Sequence, residues 1–408
     1  MELANIELIR LRLEEVSVFI NQYLATNSDT ARVQALEETT KLTRLFEKPS
    51  DVILKMFLSP TQLMAVKVSH DLGLFSTITQ SATALDTEQL SSDTGADQLL
   101  IERVMRVLIS INFVEKDEDG KFHANSLSKE MARGASAGVI DSLFLDIAPI
   151  IYQTPDFLRH TGYQNPTDPL NAPIQYAHKT ALPKAQWLEK NPDIQKRFHR
   201  YVEGVRANRM YWVEWFPVQE RVITGASKRE EDVLIVDIGG GTGRDISAFQ
   251  KRFPHTPGKL ILADLPSVIR NIRRPSPGII PVEYNLLDAQ PILGSRIYYL
   301  KFVLHEFPDD TCIAALSNIA SAMKPGYSKL LIEEFVLPDE GASALLCMLD
   351  MALLVFNPGM IRTRTQWTTL LSRVGLELSA IHSADYNDDG LVIIEAELNA
   401  NAARETHL

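Results

Sequence analysis

The sequence VDIGGGTGRD, which begins at Val236, limits the possible folds of this chain more than any other segment. An apolar run precedes it and a helical pattern follows it, so the glycines are predicted to form a tight turn between a strand and a helix. Glycine lets such a turn bend sharply and lets its backbone approach a ligand closely. Asp264 lies about 20 residues further on, where an acidic side chain binds ribose hydroxyls in nucleotide-binding folds. The turn therefore predicts a nucleotide-like ligand.

Short β-rich segments alternate with helical segments throughout the C-terminal half. Predicted strands cover residues 233–239, 259–265, 278–285, 296–302 and 329–336. Such alternation is typical of a mainly parallel sheet with helices on both faces. Two more apolar segments, separated by a turn at 387–390, are predicted to end the sheet as an antiparallel pair. We therefore predict a Rossmann-like α/β domain over residues 226–400.

The first 225 residues carry a mainly helical pattern. A helix–turn–helix followed by two short strands that meet at Asp119 and Gly120 gives a winged-helix pattern. Acidic residues outnumber basic ones in this segment, which disfavours contacts with nucleic-acid phosphates. We predict a helical and winged-helix-like dimerisation and substrate-lid domain over residues 1–225, joined to the α/β domain at the polar run 224–232.

The composition narrows the class of protein and its partners. The formal net charge of -11 also disfavours a nucleic-acid partner. Cys312 and Cys347 lie outside any Cys or His cluster, so neither a disulfide framework nor a metal site is predicted. The N-terminus does not read as a signal peptide, and no apolar run reaches the roughly 18 to 20 residues of a membrane span. We expect a cytoplasmic protein without a membrane partner.

Both NAD and S-adenosylmethionine fit a glycine-rich turn of this kind. Many NAD-binding domains lie at the N-terminus, so the position of the turn at Gly239 only slightly favours S-adenosylmethionine. The segments that follow the fourth predicted strand carry more information about the cofactor.

Five motifs in chain order resemble the plant-type and fungal small-molecule O-methyltransferases. They are VDIGGGTG, ADLPSVI, YYLKFVLHEFPDD, LLIEEFVLP and FNPGMIRTRTQW. The winged-helix segment and YQNPTDPLNAPIQYAH are also similar to fungal members. The resemblance implies a class I methyltransferase fold, S-adenosylmethionine as cofactor, a homodimer, and a hydroxylated aromatic or polyketide-type secondary metabolite as substrate.

The resemblance also assigns cofactor-binding residues: Gly239, Gly240, Gly241, Asp264, Leu265, Asn285, Leu286 and Lys301. The glycines would line the methionine moiety, Asp264 would bind the ribose, and Lys301 matches a position that commonly contacts the cofactor. Asn285 stands where the family commonly has an acid, and its side-chain carbonyl can still accept a hydrogen bond from the adenine amino group. No metal is implied.

His305 matches the general base of the family, with Glu334 and Glu306 as further catalytic residues. A phenol has a pKa near 10, so a base must take its proton at neutral pH, and imidazole with a pKa near 6.5 is suited to this. Glu334 would orient the imidazole by accepting from its other nitrogen.

The second orienting carboxylate of the family is replaced by Ile361, which cannot accept a hydrogen bond through its side chain. Three hypotheses follow. In the first, Glu334, with Glu333 or Glu306, suffices to orient His305 and methylation proceeds. In the second, the cofactor is kept and the chain acts as a methyltransferase-like pericyclase. In the third, the chain is a binding protein with an inactive site.

The predicted substrate contacts are Met210, Trp212, Met348, Met351, Phe356 and Asn357.

Overall fold

The computed structural model describes residues 3–206, 209–272, 274, 276–384 and 390–399. Most of the turn predicted at 387–390 therefore lies outside the described residues. The chain forms two compact units. The sheet unit comprises Met1–Thr40, Gln164–Ala172 and Met210–Leu408, and the helical unit comprises Lys41–Tyr163 and Pro173–Arg209.

The strands are β1 (Glu115–Lys116), β2 (Phe122–His123), β3 (Val233–Ile238), β4 (Lys259–Asp264), β5 (Ile279–Glu283), β6 (Ile297–Lys301), β7 (Lys329–Phe335), β8 (Leu376–Ser383) and β9 (Leu391–Leu398). The first α-helices are α1 (Leu3–Thr26), α2 (Asp29–Phe46), α3 (Pro49–Asp71), α4 (Leu74–Gln80), α5 (Thr87–Thr94), α6 (Gln98–Ser110), α7 (Ser126–Met131), α8 (Gly134–Ser142) and α9 (Ala148–His160). They are followed by α10 (Pro173–His178), α11 (Lys184–Lys190), α12 (Pro192–Arg206), α13 (Trp212–Trp215), α14 (Arg244–Arg252), α15 (Pro266–Ile269), α16 (Asp309–Ala322), α17 (Ala344–Phe356) and α18 (Arg364–Ser372). Short π-helical turns cover Leu143–Ile147 and Gln219–Ile223, and a 3-10 turn covers Leu304–Glu306.

The sheet of the first unit has seven strands in the order β5-β4-β3-β6-β7-β9-β8. Strands β3 to β7 are parallel, whereas β9 runs antiparallel to both of its neighbours. The predicted α/β sheet with an antiparallel ending is confirmed. Since the parallel strands share one direction, the residues that follow them all lie along one edge of the sheet.

Successive residues of the central strands pack on opposite faces of this sheet. In β6, Tyr298 and Leu300 belong to one core cluster, while Ile297 and Tyr299 belong to the other. Both clusters are buried, which explains why these strands read as continuous apolar runs in the sequence. The same alternation sends the neighbouring side chains of β7 to opposite faces.

The segment before β3 packs into the sheet unit. Trp212 is 1% exposed, and its ring stacks on Tyr299 and Phe249. Val222 is fully buried in the same cluster. This packing explains why the sheet unit takes in the chain from Met210 onward, whereas the sequence suggested a boundary after residue 225.

The helical unit contains α3 to α12 and the β1–β2 hairpin. Helices α5 and α6 are each capped by an aspartate, Asp86 and Asp97, and the antiparallel hairpin follows them. This is the helix–turn–helix and hairpin order predicted from the sequence. The core of the unit includes Phe75, Leu90 and Leu108.

Helix α3 carries an exposed apolar surface. Its Ile53, Met56 and Phe57 are 69%, 72% and 76% exposed. By length and composition α3 is the single helix in the described part of the chain that could cross a membrane. One such helix is weak evidence for a membrane span, since an exposed apolar surface of this kind also marks a protein interface.

Glu395 on β9 is fully buried and is surrounded by cations. Its carboxylate accepts from Arg221 at 2.7 and 2.8 Å, from Lys329 at 2.7 Å and lies 2.9 Å from the His382 ring nitrogen. Burial by itself would raise the pKa of Glu395, but the hydrogen bonds from His382, Arg221 and Lys329 outweigh it and lower the pKa to about 2. The network ties the turn before β3 to the far end of the sheet.

Replacing Glu395 with glutamine is expected to destabilise the protein by about 3 kcal/mol at neutral pH. Because the folded-state pKa lies below the ordinary value of 4.5, this stabilisation is present above that pH and is lost as the pH falls towards about 2. Denaturant melts across this range measure it. Glu397→Gln, which removes an exposed partner of Lys329 at 3.6 Å, is the matched control and should change little. An unchanged pH dependence in Glu395→Gln would contradict the account.

Candidate active site

The predicted cofactor-binding residues all lie along the carboxyl edge of the parallel strands. Gly239, Gly240 and Gly241 follow β3, Asp264 ends β4 and Leu265 follows it, Asn285 and Leu286 come after β5, and Lys301 ends β6. In an α/β sheet this edge is where ligands bind, next to the point at which the strand order reverses. That point lies here between β3 and β6.

The glycine turn is held directly to Asp264. The backbone N–H of Gly241 donates to Asp264 Oδ2 at 2.8 Å, and that of Leu265 donates to Oδ1 at 2.7 Å. Burial raises the pKa of Asp264 although both hydrogen bonds act to lower it. Gly239 has a φ of +70°, and a β-carbon there would lie 2.7 Å from a methyl of Val303, so only glycine fits this position.

The residues after β5 form a short turn. Asn285 Oδ1 accepts from the backbone N–H of Leu287 at 3.1 Å, and Leu286 packs partly against the sheet core. The Leu286 carbonyl accepts from Asn318 at 3.3 Å. Asn285 and Leu286 thus stand at the carboxyl end of β5, and their contacts with adenine remain a prediction.

A carboxylate cluster, consisting of Asp237, Asp245 and Glu333, surrounds the ammonium group of Lys301. Lys301 Nζ lies 2.9 Å from Asp245 Oδ1 and 3.0 Å from Glu333 Oε1. The hydroxyl of Tyr299 donates to the other oxygen of Glu333. Asp237 and Glu333 are almost completely buried, at 1% and 0% exposure. Three carboxyl groups therefore lie around a single ammonium group.

The pKa values of the cluster show how its charges interact. Burial, reinforced by the charges of Asp245 and Asp264, raises the pKa of Asp237 well above its ordinary value. Burial also raises the pKa of Glu333, which Lys301 partly offsets. Burial lowers the pKa of Lys301, but Glu333 and Asp245 outweigh this and raise it. Lys301 therefore remains charged at neutral pH.

An unpartnered oxygen atom in this cluster favours S-adenosylmethionine over NAD as the cofactor. Asp237 Oδ2 is buried without a hydrogen-bond partner among the described residues. A buried carboxylate oxygen of this kind needs a donor or a cation. The ammonium and sulfonium groups of S-adenosylmethionine would supply such a partner, whereas the pyrophosphate of NAD would bring only further hydrogen-bond acceptors beside Asp237.

His305 lies in the 3-10 turn after β6, and Glu334 at the end of β7 holds it. Glu334 Oε2 is 2.6 Å from His305 Nδ1. Glu334 Oε1 accepts from the backbone N–H groups of Val303, Leu304 and His305 at 3.0, 3.1 and 3.3 Å. With the carboxylate bonded to three backbone donors, Nδ1 is the nitrogen that carries the proton, and Nε2 is the basic one.

The histidine turn (residues 303–307) is also held from the opposite side. The N–H of Met360 donates to the His305 carbonyl at 2.9 Å. The buried guanidinium of Arg362 donates to the carbonyls of Leu304 and Phe307 at 3.1 and 2.8 Å and pairs with Asp309 at 2.8 Å. Met360 and Arg362, the residues on either side of Ile361, therefore hold the turn.

Gly359 packs so closely on the histidine turn that a β-carbon there would overlap the carbonyl oxygen of His305. Gly359→Ala is therefore expected to displace His305 and to lower kcat by about 100-fold, since a shift of about 1 Å in a catalytic group has this effect. Gly134→Ala, whose added carbon meets no atom within 4 Å, is the control. Steady-state kinetics together with cofactor titration measure the effect. Unaltered kcat in Gly359→Ala would show that the turn is not held here.

The structure corrects two interpretations of the sequence. Glu333 does not orient His305, because adjacent strand residues point to opposite faces and Glu333 is bonded to Lys301 and Tyr299. Trp212 lies in the sheet core rather than on an open wall, since it is 1% exposed and its indole N–H is bonded to the Asp245 carbonyl at 3.4 Å.

The other predicted substrate contacts remain accessible to different degrees. Met210, Met348 and Met351 are 42%, 63% and 54% exposed, and Phe356 and Asn357 are half-buried. Met348 and Met351 lie three residues apart on α17, so they share one side of that helix. Sequence reasoning missed Asp237, Asp245 and Tyr299, because their role depends on which strands and helices pack together.

Comparison with known proteins shows which family this chain belongs to. Residues 213–377 match the model of the O-methyltransferase domain, and residues 54–134 match that of the O-methyltransferase dimerisation domain. The chain is 36% identical over 368 residues to O-methyltransferase penC of Penicillium thymicola, covering 90% of this chain and 92% of that protein. The chain belongs to the O-methyltransferase family. S-adenosylmethionine is the cofactor of this O-methyltransferase fold.

Other members and solved structures cover almost the whole O-methyltransferase chain. Demethylsterigmatocystin 6-O-methyltransferase of Aspergillus flavus is 28% identical, with 95% of this chain and 99% of that protein covered. A structure of LepI in complex with SAM and a structure described as a pericyclic reaction enzyme are each 26% identical with a TM-score of 0.84. They cover 94% of this chain and 97% and 98% of theirs.

Proposed function

We propose that this protein transfers the methyl group of S-adenosylmethionine to a hydroxyl group of a fungal-type secondary metabolite, with His305 as general base. The observation that carries the proposal is the His305–Glu334 pair at 2.6 Å, at the edge of the sheet that holds the cofactor-binding residues. The relatives named as O-methyltransferases support the reaction class.

The chemistry follows from His305 and its neighbours. When bound, S-adenosylmethionine would supply an electrophilic methyl group, whose bond to sulfur would break to leave S-adenosylhomocysteine. His305 Nε2 removes the proton of the acceptor hydroxyl as its oxygen becomes bonded to the methyl carbon. Glu334 keeps the proton of Nδ1 in place and stabilises the imidazolium that forms. Glu306 lies in the same turn as His305 and completes the proposed catalytic set.

The proposed roles of the cofactor-binding residues follow their positions. Asp264, held to the glycine turn, has a second lone pair on each oxygen to accept from ribose hydroxyls. The carboxylate cluster with Lys301 would hold the cationic part of the cofactor. Leu265, 41% exposed, supplies an apolar contact beside the ribose.

The acceptor we propose is aromatic or polyketide-like. The exposed face of α17 offers Met348 and Met351, and such flexible thioether side chains pack well on flat apolar ligands. The Aspergillus flavus relative is named for the methylation of demethylsterigmatocystin at its 6-oxygen.

A second function on the same fold is supported by one comparison. The structure described as a pericyclic reaction enzyme is as similar to this chain as the LepI structure. The sequence resemblance also implies a carboxylate at the position where this chain has Ile361. In that function His305 and Lys301 would donate or accept protons during a cyclisation, with the cofactor kept as a bound electrostatic element.

We further propose a homodimer in the cytoplasm. The dimerisation-domain match includes most of α3, whose apolar side chains are exposed in the single chain. A second copy would cover these side chains, because in an isologous dimer the same surface of both subunits is buried at the interface. Native mass spectrometry of the purified protein gives the subunit number.

The proposed function is tested by titrating S-adenosylmethionine into the protein by calorimetry and then supplying a panel of phenols and pyridones. Methylated product together with equimolar S-adenosylhomocysteine is expected. Cofactor binding followed by isomerised or dehydrated product of unchanged or reduced mass would favour the pericyclase. A protein that binds the cofactor and converts no member of the panel would contradict the proposed methyl transfer to such acceptors.

A further inference from the structure

Asp350 on α17 takes a position that no part of the proposed chemistry uses. Its Oδ1 accepts the backbone N–H of Ile361 at 2.7 Å. Ile361 itself is 2% exposed. The carboxylate that lies beside this buried residue comes from α17 and binds its backbone N–H.

The hydrogen bonds on either side of this contact form a continuous connection. Met360 N–H donates to the His305 carbonyl, and Arg362 donates to the carbonyls of Leu304 and Phe307. Three consecutive residues thus bond alternately to the histidine turn and to α17. Gly359 adds steric contact with the same turn.

Helix α17 is also the helix that presents Met348 and Met351. Asp350 lies four residues after the buried Leu346, so it belongs to the inward side of the helix, while both methionines are more than half exposed. A movement of α17 would therefore be transmitted to Ile361 through Asp350.

We propose that Asp350 is a positioning residue that couples α17 to the histidine turn through Met360, Ile361 and Arg362. The coupling holds α17, which carries the proposed acceptor contacts Met348 and Met351, in a constant position relative to His305. The effect of the coupling on methyl transfer rests on the proposed function. The coupling itself is a property of the folded chain and can be measured without a substrate.

Hydrogen–deuterium exchange of the full-length protein loaded with S-adenosylmethionine tests the coupling. Asp350→Ala is expected to speed exchange about tenfold or more both at residues 358–363 and in the histidine turn, because a hydrogen bond to a charged acceptor is lost. Asp350→Asn keeps an oxygen that can accept from Ile361 and should stay near the wild-type rates. Asp339→Ala is the matched control, since Asp339 accepts from Thr365 at 3.3 Å in the following helix. Faster exchange confined to 358–363, or equal effects of alanine and asparagine, would overturn the proposal.

Kinetics give a second readout once an acceptor is known. Asp350→Ala should lower kcat about 10- to 100-fold, while the cofactor Kd and the midpoint of the pH profile remain unchanged. Asparagine should restore most of kcat. A shifted pH midpoint would overturn the proposal, because it would mean that the carboxylate acts on the imidazole directly. If the alanine variant fails to fold, Asp350→Ser replaces it in both measurements. A wild-type protein that transfers no methyl would refute the proposed function, and the exchange result would still decide the coupling.

Discussion

Replacing His305 with alanine is expected to lower kcat/KM for methyl transfer by about 10²- to 10⁴-fold, the usual contribution of a general base. The cofactor Kd should be unchanged, because the residues that hold the cofactor lie after β3, β4 and β5 and at the end of β6. The acceptor hydroxyl then loses the imidazole that is proposed to take its proton. Initial rates of S-adenosylhomocysteine formation measure the loss.

A matched control for this variant is His123→Ala. His123 lies on the β1–β2 hairpin, where its side chain is 47% exposed and pairs with Asp117. Its loss should leave kcat/KM unchanged. If His305→Ala retained wild-type kcat/KM with a hydroxyl acceptor of ordinary phenol pKa, His305 would not be the base.

Replacing Glu334 with glutamine is expected to lower kcat by about 10³- to 10⁴-fold, as loss of the carboxylate that orients a catalytic histidine does elsewhere. The amide oxygen can still accept from the three backbone N–H groups that Glu334 binds now. The amide nitrogen would then face His305 Nδ1 and donate to it, which places the imidazole proton on Nε2. That nitrogen could no longer accept a proton from the substrate.

The neighbouring Glu333 provides the comparison for Glu334→Gln. Glu333→Gln removes a partner of Lys301 and should change the cofactor Kd more than kcat. The two variants differ by one position on β7 and affect opposite faces of the sheet. Equal losses of kcat in both variants would contradict the separate roles assigned to these carboxylates.

Much of the sheet could be predicted because local sequence determines it. The predicted strand at 259–265 is β4 (Lys259–Asp264), and that at 296–302 is β6 (Ile297–Lys301). Both are apolar runs ended by turn residues, and both are buried on two faces. The glycine turn, Asp264 and His305 could be placed because each directly follows such a strand.

Sequence patterns are less informative wherever the role of a residue depends on contacts between distant segments. Trp212 reads as a pocket aromatic, but its stacking on Tyr299 depends on how α13 packs against β6. The bond between Asp350 and Ile361 joins residues whose relation depends on the path of the loop after α17. Residue spacing also could not show that Glu333 and Glu334 serve different partners.

Methyl transfer from S-adenosylmethionine to an acceptor oxygen is tested by supplying the cofactor with a trideuterated methyl group and following the mass of the product. We predict a product that gains one trideuteromethyl group on oxygen, with S-adenosylhomocysteine formed in equal amount, and no such product from His305→Ala. A wild-type protein that binds this cofactor, leaves its label in place and still rearranges or dehydrates the substrate would contradict this prediction.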